Sequence, residues 1–568
     1  MCGIAGIISE KPEAANLKKV LRKQAHRGPD YTGIYIDNGF ASLGHNRLSI
    51  IDVSPDANQP FCDSSKRFYL TFNGEIYNYK ELRQELRNEY KFQTFSDTEV
   101  LLAAFIHWGK NCLQKLNGMF SFAVWDTKNK TLFAARDRFG VKPFYYFSDK
   151  ESFYFASEIK SLLAVTKINS PNKKVWANYF KYGIYGMPDE TFYQQINQIP
   201  GGCYLEYSKG ILSTSRWYNF EEKIKENPKD FKYNQAKEYY LEMLQESIAL
   251  RFRADVPVGF NLSGGVDSSL LLALVNQFKK KNNINAYTFY TGDRNYDELP
   301  WVEEMISYTN NPLNTIKFEA REVGKTSKFI SEIQDEPFGG IPTMAYSEIF
   351  KRAKKDGVKV LLDGQGMDEQ WAGYDYYLNT HSVNIQGIGG KKPFKSNVLK
   401  KELLQESIKP EYPEPFAEKL QNLQYRDLFY TKIPRALRFN DRVSMAYSTE
   451  LREPFLDYRL VEFAFAQPRN FKIKGEVQKF LIREILMELT TRKISNAPKR
   501  PLQTPQREWL GNELKEYVSG NLEKLKSCSV ADWFDHKEIE KEWRSYQEGE
   551  NTSSFHIWQW INTAHLFS

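Results

Sequence analysis

A cysteine directly behind the initiator methionine, in Met1-Cys2-Gly3-Ile4-Ala5-Gly6, is the residue of this chain best placed for covalent chemistry. A small second residue favours removal of Met1, which leaves one residue carrying both a thiol and a free α-amine. A thiol is a good nucleophile at neutral pH, and an adjacent base improves it. An α-amine titrating near ~7.7 supplies that base without any side chain. Alone, the dipeptide reads as a start codon before a buried cysteine. Four further segments accompany it: His26-Arg27-Gly28-Pro29-Asp30, Arg47-Leu48-Ser49-Ile50-Ile51-Asp52, Asn73-Gly74-Glu75-Ile76-Tyr77-Asn78 and Ser96-Asp97-Thr98-Glu99. Each puts polar groups beside a strand or turn. Singly, each reads as an ordinary turn, with Arg47 at the surface and Asn73-Gly74 as a hairpin turn.

A second cluster begins where a strand over 256–262 runs into Ser263-Gly264-Gly265-Val266-Asp267-Ser268-Ser269 and a helix over 268–279. Glycines let the backbone turn tightly and approach phosphate, and the new helix offers free N–H groups and a positive dipole end. The string lacks the Gly-Lys-Ser/Thr ending of a Walker loop, which suits a loop that grips a departing pyrophosphate. Ser/Gly-rich strand–helix turns are common, but this full string after a strand is rare by chance. Leu362-Asp363-Gly364-Gln365-Gly366-Met367-Asp368-Glu369 follows another strand, over 358–362.

The elements that must position these residues fall into two halves. The first 200 or so residues read as short strands over 4–8, 68–72, 120–125, 131–135 and 153–156, interrupted by helices over 17–24 and 98–108, a layered α+β pattern. A polar stretch around 221–234, containing Pro228, marks the boundary, so we expect a first domain over 2–215, a linker over 216–235 and a second domain over 236–568. From there strands and helices alternate, which predicts a parallel sheet with helices on both faces and ligands beyond the strand C-termini. The remainder is largely helical, with a Gly-, Lys- and Pro-rich loop over 387–418.

Composition narrows the function classes. The chain has 568 residues, 41% hydrophobic and 15% aromatic, enough for two large cores. Its net charge of +7 is spread among nearly as many acids, which reads as solvated faces and argues against a nucleic-acid stripe. Five cysteines far apart, with no Cys-x-x-Cys pair, argue against a disulfide framework or zinc site and fit a reducing cytoplasm. The sequence has neither a signal-peptide pattern nor an uncharged apolar run near the ~18 residues of a membrane helix. We therefore expect small-molecule substrates, no nucleic acid and no membrane.

Taken together, Cys2 and its accompanying segments resemble the glutaminase domain of the class II, N-terminal-nucleophile glutamine amidotransferases. The likeness extends through Asn117-Gly118-Met119-Phe120, Arg136-Asp137-Arg138-Phe139-Gly140 and Ser157-Glu158-Ile159-Lys160. It implies a four-layer fold, two antiparallel sheets between helices. It also implies Cys2 as nucleophile, Asn73 and the Gly74 N–H as oxyanion donors, and a glutamine site of Arg47, Leu48, Ile50, Asn73, Gly74, Glu75 and Asp97, without a metal. The glycine-rich string resembles the pyrophosphate loop of ATP-dependent adenylating amidases, and the whole chain resembles the asparagine synthetase family. That implies an ATP-pyrophosphatase domain with a helical C-terminal part. It places ATP and pyrophosphate on Ser263, Gly264, Gly265, Asp267, Ser268, Asp363, Gly364 and Lys479, with Tyr290 and Thr291 against the adenine. Mg²⁺, a hard ion that takes carboxylate and phosphate oxygens, is expected on Asp267 and Asp368. Glu450, Arg452 and Asp457, in Glu450-Leu451-Arg452-Glu453-Pro454-Phe455-Leu456-Asp457, match another family segment and are assigned structural roles. The resemblance also suggests a homodimer.

The likeness breaks where the acceptor is chosen, at Gln365, Asp368 and Glu369. Asparagine-producing members read Ser-Gly-Glu-Gly-Ser-Asp-Glu where this chain has Asp363 to Glu369. A glutamate there can act as a base on ammonia or bind an ammonium; neutral Gln365 does neither. The Asp-Gly-Gln-Gly version, with Asp335-Glu336-Pro337-Phe338-Gly339, resembles a subgroup linked to surface-polysaccharide or cell-wall amidation. Two acceptors stay open: L-aspartate, giving L-asparagine, L-glutamate, AMP and diphosphate, and a sugar uronate or other cell-wall carboxylate. A nucleic-acid-modifying pyrophosphatase is a third class, which the complete glutaminase half argues against.

Overall fold

The computed structural model describes residues 2–10, 12–166, 168–226, 231–278, 284–378, 393–499, 503–550 and 553–568. Its first half is built on two six-stranded antiparallel sheets. One carries Gly3–Ser9 between Ala41–Arg47 and Ser152–Ala156; the other carries Phe68–Ile76 beside Gly118–Asp126. Alternating apolar residues explain the layering. Ile4, Leu43 and Phe155 from one sheet pack against Ala123, Trp125 and Leu205 from the other. The opposite face of the first sheet is covered by Ala14–Lys23 and Ile159–Leu163, and that of the second by Tyr79–Leu86 and Asp97–Trp108. This is the expected helix–sheet–sheet–helix arrangement. Asp97–Trp108 is capped by Ser96, whose side chain accepts from the Glu99 N–H.

The second half holds a five-stranded parallel sheet ordered Leu313–Lys317, Ala286–Tyr290, Val258–Asn261, Val360–Leu362 and Glu450–Arg452. Helices including Val266–Phe278 and Ile341–Lys355 flank it, and helical segments continue to Phe555–Phe567. The strand Phe68–Ile76 runs on through Asn73, Gly74 and Glu75, which pair with Ser121, Phe120 and Met119; the hairpin-turn reading of Asn73-Gly74 is thereby corrected. Within the expected linker, 216–235, the structure has the helix Phe220–Glu226 and the start of Tyr233–Arg251, while Pro228 lies outside the described residues. The described part of the expected loop, 393–418, contains the short helix Lys401–Gln405. Among the described residues no helix is long and apolar enough to cross a membrane.

The halves share one continuous apolar cluster, in which Leu82, Phe139 and Phe220 join Val360, Leu437, Leu456 and Phe465. Buried polar pairs cross it as well: Arg27 to Asp441 at 2.8 Å, Asn117 to Asp457 at 3.0 Å, and Lys142 to the Leu451 carbonyl at 3.3 Å.

Candidate active sites

Cys2 precedes the first strand and is buried. Its backbone N–H donates to Asn73 Oδ1 at 3.0 Å, its carbonyl accepts from Arg27 Nε at 3.0 Å, and its Sγ lies 3.9 Å from the Leu48 carbonyl. Burial pushes the thiol up, while the positive amino terminus and Arg47 oppose the rise. Asn73 is held by one amide oxygen, and its Nδ2 is buried with no hydrogen-bond partner. A buried unpaired donor costs stability, and beside a nucleophile it is positioned to receive a developing oxyanion. Gly74 follows at φ +154°, and a Cβ there would meet the Met119 carbonyl at 2.1 Å. Only glycine lets the paired strand pass so closely.

Around this centre, Asp97 accepts from the Ile76 N–H at 2.9 Å, and burial pushes its carboxyl up to about 6. Burial, with Glu450 nearby, pushes Glu75 well above the usual carboxylate range, and its Oε2 stands 3.4 Å from Arg452 Nη2. Arg47 braces the following loop through the Ser54 carbonyl at 2.7 Å, Asn58 Oδ1 at 2.8 Å and the Asp52 carbonyl. The Ile50 carbonyl accepts from the Asp255 N–H of the second half. The structure thus assembles Cys2, Leu48, Asn73, Gly74, Glu75 and Asp97, with Arg47 and Ile50 shaping the adjoining loop.

In the second half, a cavity of about 560 Å³ opens beyond the C-terminal ends of the parallel strands. Ser263, Asp267, Ser268, Asp363, Gly364, Gln365 and Asp368 line it. The loop is closed on itself, with Ser268 Oγ 3.1 Å from Ser263 Oγ. Asp363 accepts from Tyr346 at 2.5 Å, and its own N–H donates to the Arg452 carbonyl at 2.9 Å. The wall over the second strand is made by Thr288 and Phe289, not by Tyr290 and Thr291. The N–H of Thr291 is turned instead to Asp297, at 2.7 Å. The expected adenine contacts, Tyr290 and Thr291, thus lie beside this wall, where the same strand ends.

Lys479 joins the two carboxylates expected to hold metal, with its Nζ 2.6 Å from Asp267 and 2.5 Å from Asp368. A lysine ammonium marks the point where both carboxylates converge on positive charge, so the donor set fits a hard divalent ion shared with phosphate oxygens. Gly373 makes this contact possible: a Cβ there would fall 2.0 Å from Asp368 Oδ1 and 2.3 Å from Lys479 Cε.

Residues 1–218 match the glutamine amidotransferase domain model and 240–568 the asparagine synthase model. The chain belongs to the asparagine synthase family. It is 28% identical to asparagine synthetase [glutamine-hydrolyzing] 1 of Bacillus subtilis, over 95% of this chain and 92% of that protein. It is 32% identical to a putative asparagine synthetase [glutamine-hydrolyzing] 2 of Methanocaldococcus jannaschii, over 76% and 90%. A third relative, the amidase chry2 of Gibberella zeae, is 24% identical over 94% and 93%. The chain is therefore an enzyme of glutamine-dependent amidation that uses ATP.

As a synthase, it has site residues that sequence reasoning missed. Lys499 contacts Asp368 from 131 positions away, a pairing without any local signal. Tyr374 lines the cavity and donates to Glu369 at 2.7 Å, placing Glu369 behind the cavity wall. Burial and Asp368 push Glu369 up to about 7. Tyr374 and Tyr376 stack with centroids 5.3 Å apart, and Lys432 lies over Tyr374 at 5.0 Å, pushed down to about 8 by burial. An aromatic cluster in Tyr374-Asp375-Tyr376-Tyr377 was the available clue. Glu450, Arg452 and Asp457 lie at the junction between the halves: Arg452 Nε donates to Glu450 at 2.5 Å, and Asp457 binds Arg251 at 3.0 Å.

Proposed function

We propose that this enzyme hydrolyses glutamine at Cys2 and delivers the ammonia to an acyl-adenylate of L-aspartate, giving L-asparagine, L-glutamate, AMP and diphosphate. The observation that carries the reading is the pairing of Cys2 and the unpartnered Asn73 Nδ2 with a separate ATP cavity in one chain. Once Met1 is removed, the Cys2 α-amine takes the thiol proton as sulfur attacks the glutamine side-chain amide. Asn73 Nδ2 and the Gly74 N–H then hold the tetrahedral oxyanion, each donor worth roughly 3 kcal/mol of barrier. The α-amine returns that proton to the amide nitrogen as the C–N bond breaks, ammonia leaves, and water hydrolyses the thioester to glutamate, restoring the thiol. Asp97 and the Glu75 region receive the α-ammonium, and Arg47 the α-carboxylate, bidentately.

In the second cavity the acceptor carboxylate attacks the α-phosphorus of ATP and pyrophosphate leaves. Ammonia then attacks the mixed anhydride and AMP departs. The N–H groups of 263–268 and Lys479 hold the leaving phosphates. Asp267 and Asp368 would hold Mg²⁺, which when bound supplies charge neutralisation to the phosphates. Among the described residues no group of three or more His, Cys, Asp or Glu converges, so its remaining ligands would come from the nucleotide and water.

A second reading, a sugar uronate as acceptor, draws support from Gln365 in the cavity wall and from the stacked Tyr374 and Tyr376 with Lys432. Flat aromatic faces suit a ring, and the cation suits its carboxylate. Glutamine- and ATP-dependent pyrophosphate release across a carboxylate panel decides between them. Aspartate is expected to give the highest kcat/KM; preference for hexuronates would replace the first reading with the second. Pyrophosphate release that Cys2→Ala abolishes with ammonia as donor would sink the separate-site model.

A further inference from the structure

Beneath the glycine-rich loop lies a small second cavity of about 70 Å³, walled by Ser263, Gly265, Gly373, Lys479, Arg483 and Lys499. It adjoins the large cavity, and Lys499 lines both. Three cations therefore gather beneath the loop, and two of them, Lys479 and Lys499, reach Asp368. Asp267 and Asp368 contact the two lysines, and Glu369 adds a longer-range attraction to Lys499. Lys479 is shared between the two aspartates, and Lys499 binds Asp368 Oδ2. Lys499 also lies over the Tyr374 ring, 5.3 Å from its centroid.

The two lysines are brought together by Arg483. Its Nε donates to the Gln478 carbonyl at 3.0 Å, one position before Lys479. Its Nη1 donates to the Ser495 and Ala497 carbonyls at 2.6 and 3.1 Å, just before Lys499. One guanidinium thus ties together the two backbone segments that carry the ammoniums. Lys479 itself sits at φ +53°, a conformation disfavoured for a side chain with a Cβ. Such strain persists where surrounding structure enforces it. The Lys479–Asp368 contact further requires the missing Cβ of Gly373.

We infer that Lys499 is a second pyrophosphate-binding lysine and that Arg483 is the positioning residue that sets it beside Lys479. The inference rests on the ATP-adenylating reading. Pyrophosphate leaves with several negative charges, and a loop without a Walker lysine offers only backbone dipoles and Lys479 against them. Lys499 adds a charge-assisted donor at the mouth between the two cavities. There it is placed to take the phosphate oxygens freed when the α–β bond breaks and the acyl–phosphate bond forms. Its carboxylate partner Asp368 then has Lys479 as its remaining lysine contact. A Lys499 that only held Asp368 would act through the metal on that carboxylate, so its loss would leave the affinity for metal-free pyrophosphate unchanged.

The test is calorimetric titration of the full chain with pyrophosphate in the absence of divalent metal and, separately, with AMP. Lys499→Met should weaken pyrophosphate binding by about tenfold or more, the worth of one charge-assisted hydrogen bond, while AMP binds as in the wild type. Lys499→Arg should restore most of the affinity, and Arg483→Gln should weaken pyrophosphate in the same direction as Lys499→Met. Unchanged pyrophosphate affinity in Lys499→Met, with AMP binding intact, would overturn the inference and leave the ATP reading standing. Wild-type protein that binds neither ligand would overturn that reading and the inference with it.

Discussion

Asp97 carries a conflict between folding and binding. Burial favours its neutral form, raising the carboxyl to about 6, whereas its proposed contact with the α-ammonium of glutamine needs the ionised form. The folded state holds this proton more tightly than the unfolded chain, so the group favours folding at low pH. That contribution is lost as pH rises from about 4 through about 6. Binding has the opposite sign. The KM for glutamine in the glutaminase reaction should climb about tenfold per pH unit below about 6, and Asp97→Asn should show a high KM with that dependence gone. A wild-type KM that stays flat from neutral pH down to 5 would contradict this placement. Lys499 and Asp97 also differ in how visible they were. Asp97 sits in a short polar segment with a helix-start pattern, while Lys499 owes its position to Arg483 and to a carboxylate distant in sequence.

At the scale of elements, the strand Phe68–Ile76 does two jobs in one continuous run: it pairs with Gly118–Asp126 and presents Asn73 and Gly74 to Cys2. Gly74→Ala should force the strands apart at the Met119 carbonyl. Glutaminase turnover should fall at least about a hundredfold, the scale of a lost oxyanion donor, while ammonia-driven amidation persists. Retention of glutaminase turnover would show that the strand relaxes around the methyl. The dipeptide Asn73-Gly74 invites a hairpin turn on local grounds, and only the pairing partner fifty residues on settles the extended form. The strand Glu450–Arg452 was hidden for a related reason. Three residues, two of them charged, carry no apolar period, and they form a strand because Val360–Leu362 lies alongside and Glu75 and Lys142 receive their charges. The glycine-rich strand–turn–helix was legible because all its parts are consecutive. The expected adenine contacts were drawn from the end of the strand, whereas the cavity wall begins two residues earlier.

For the whole molecule, the junction between the halves is where the two proposed reactions would be coupled. Arg27 is fully buried between Glu158, at 3.0 Å, and Asp441 of the synthase half, at 2.8 Å, and a cavity of about 320 Å³ opens nearby between Val141, Tyr185 and Arg438. With unlabelled glutamine and isotopically heavy ammonium in the medium, the product amide should carry mostly the light nitrogen of glutamine. Asp441→Asn should cost about 3 kcal/mol by breaking a buried pair and should raise the heavy share. Product labelled by the medium to the same extent in the wild type would count against sheltered transfer. The outline of both halves was readable from consecutive motifs, but this junction was not, since its pairs join residues hundreds of positions apart. The strand Glu450–Arg452 makes the same point about descent. Its backbone carries the Asp363 loop of one centre while its arginine faces Glu75 of the other. A recombinant that exchanged halves at the 216–235 boundary would have to re-form Arg452 with Glu75, Asp457 with Asn117 and Asp441 with Arg27 across the new junction. A half therefore keeps its junction only beside a partner that holds these residues, even though each half is recognisable as a separate domain.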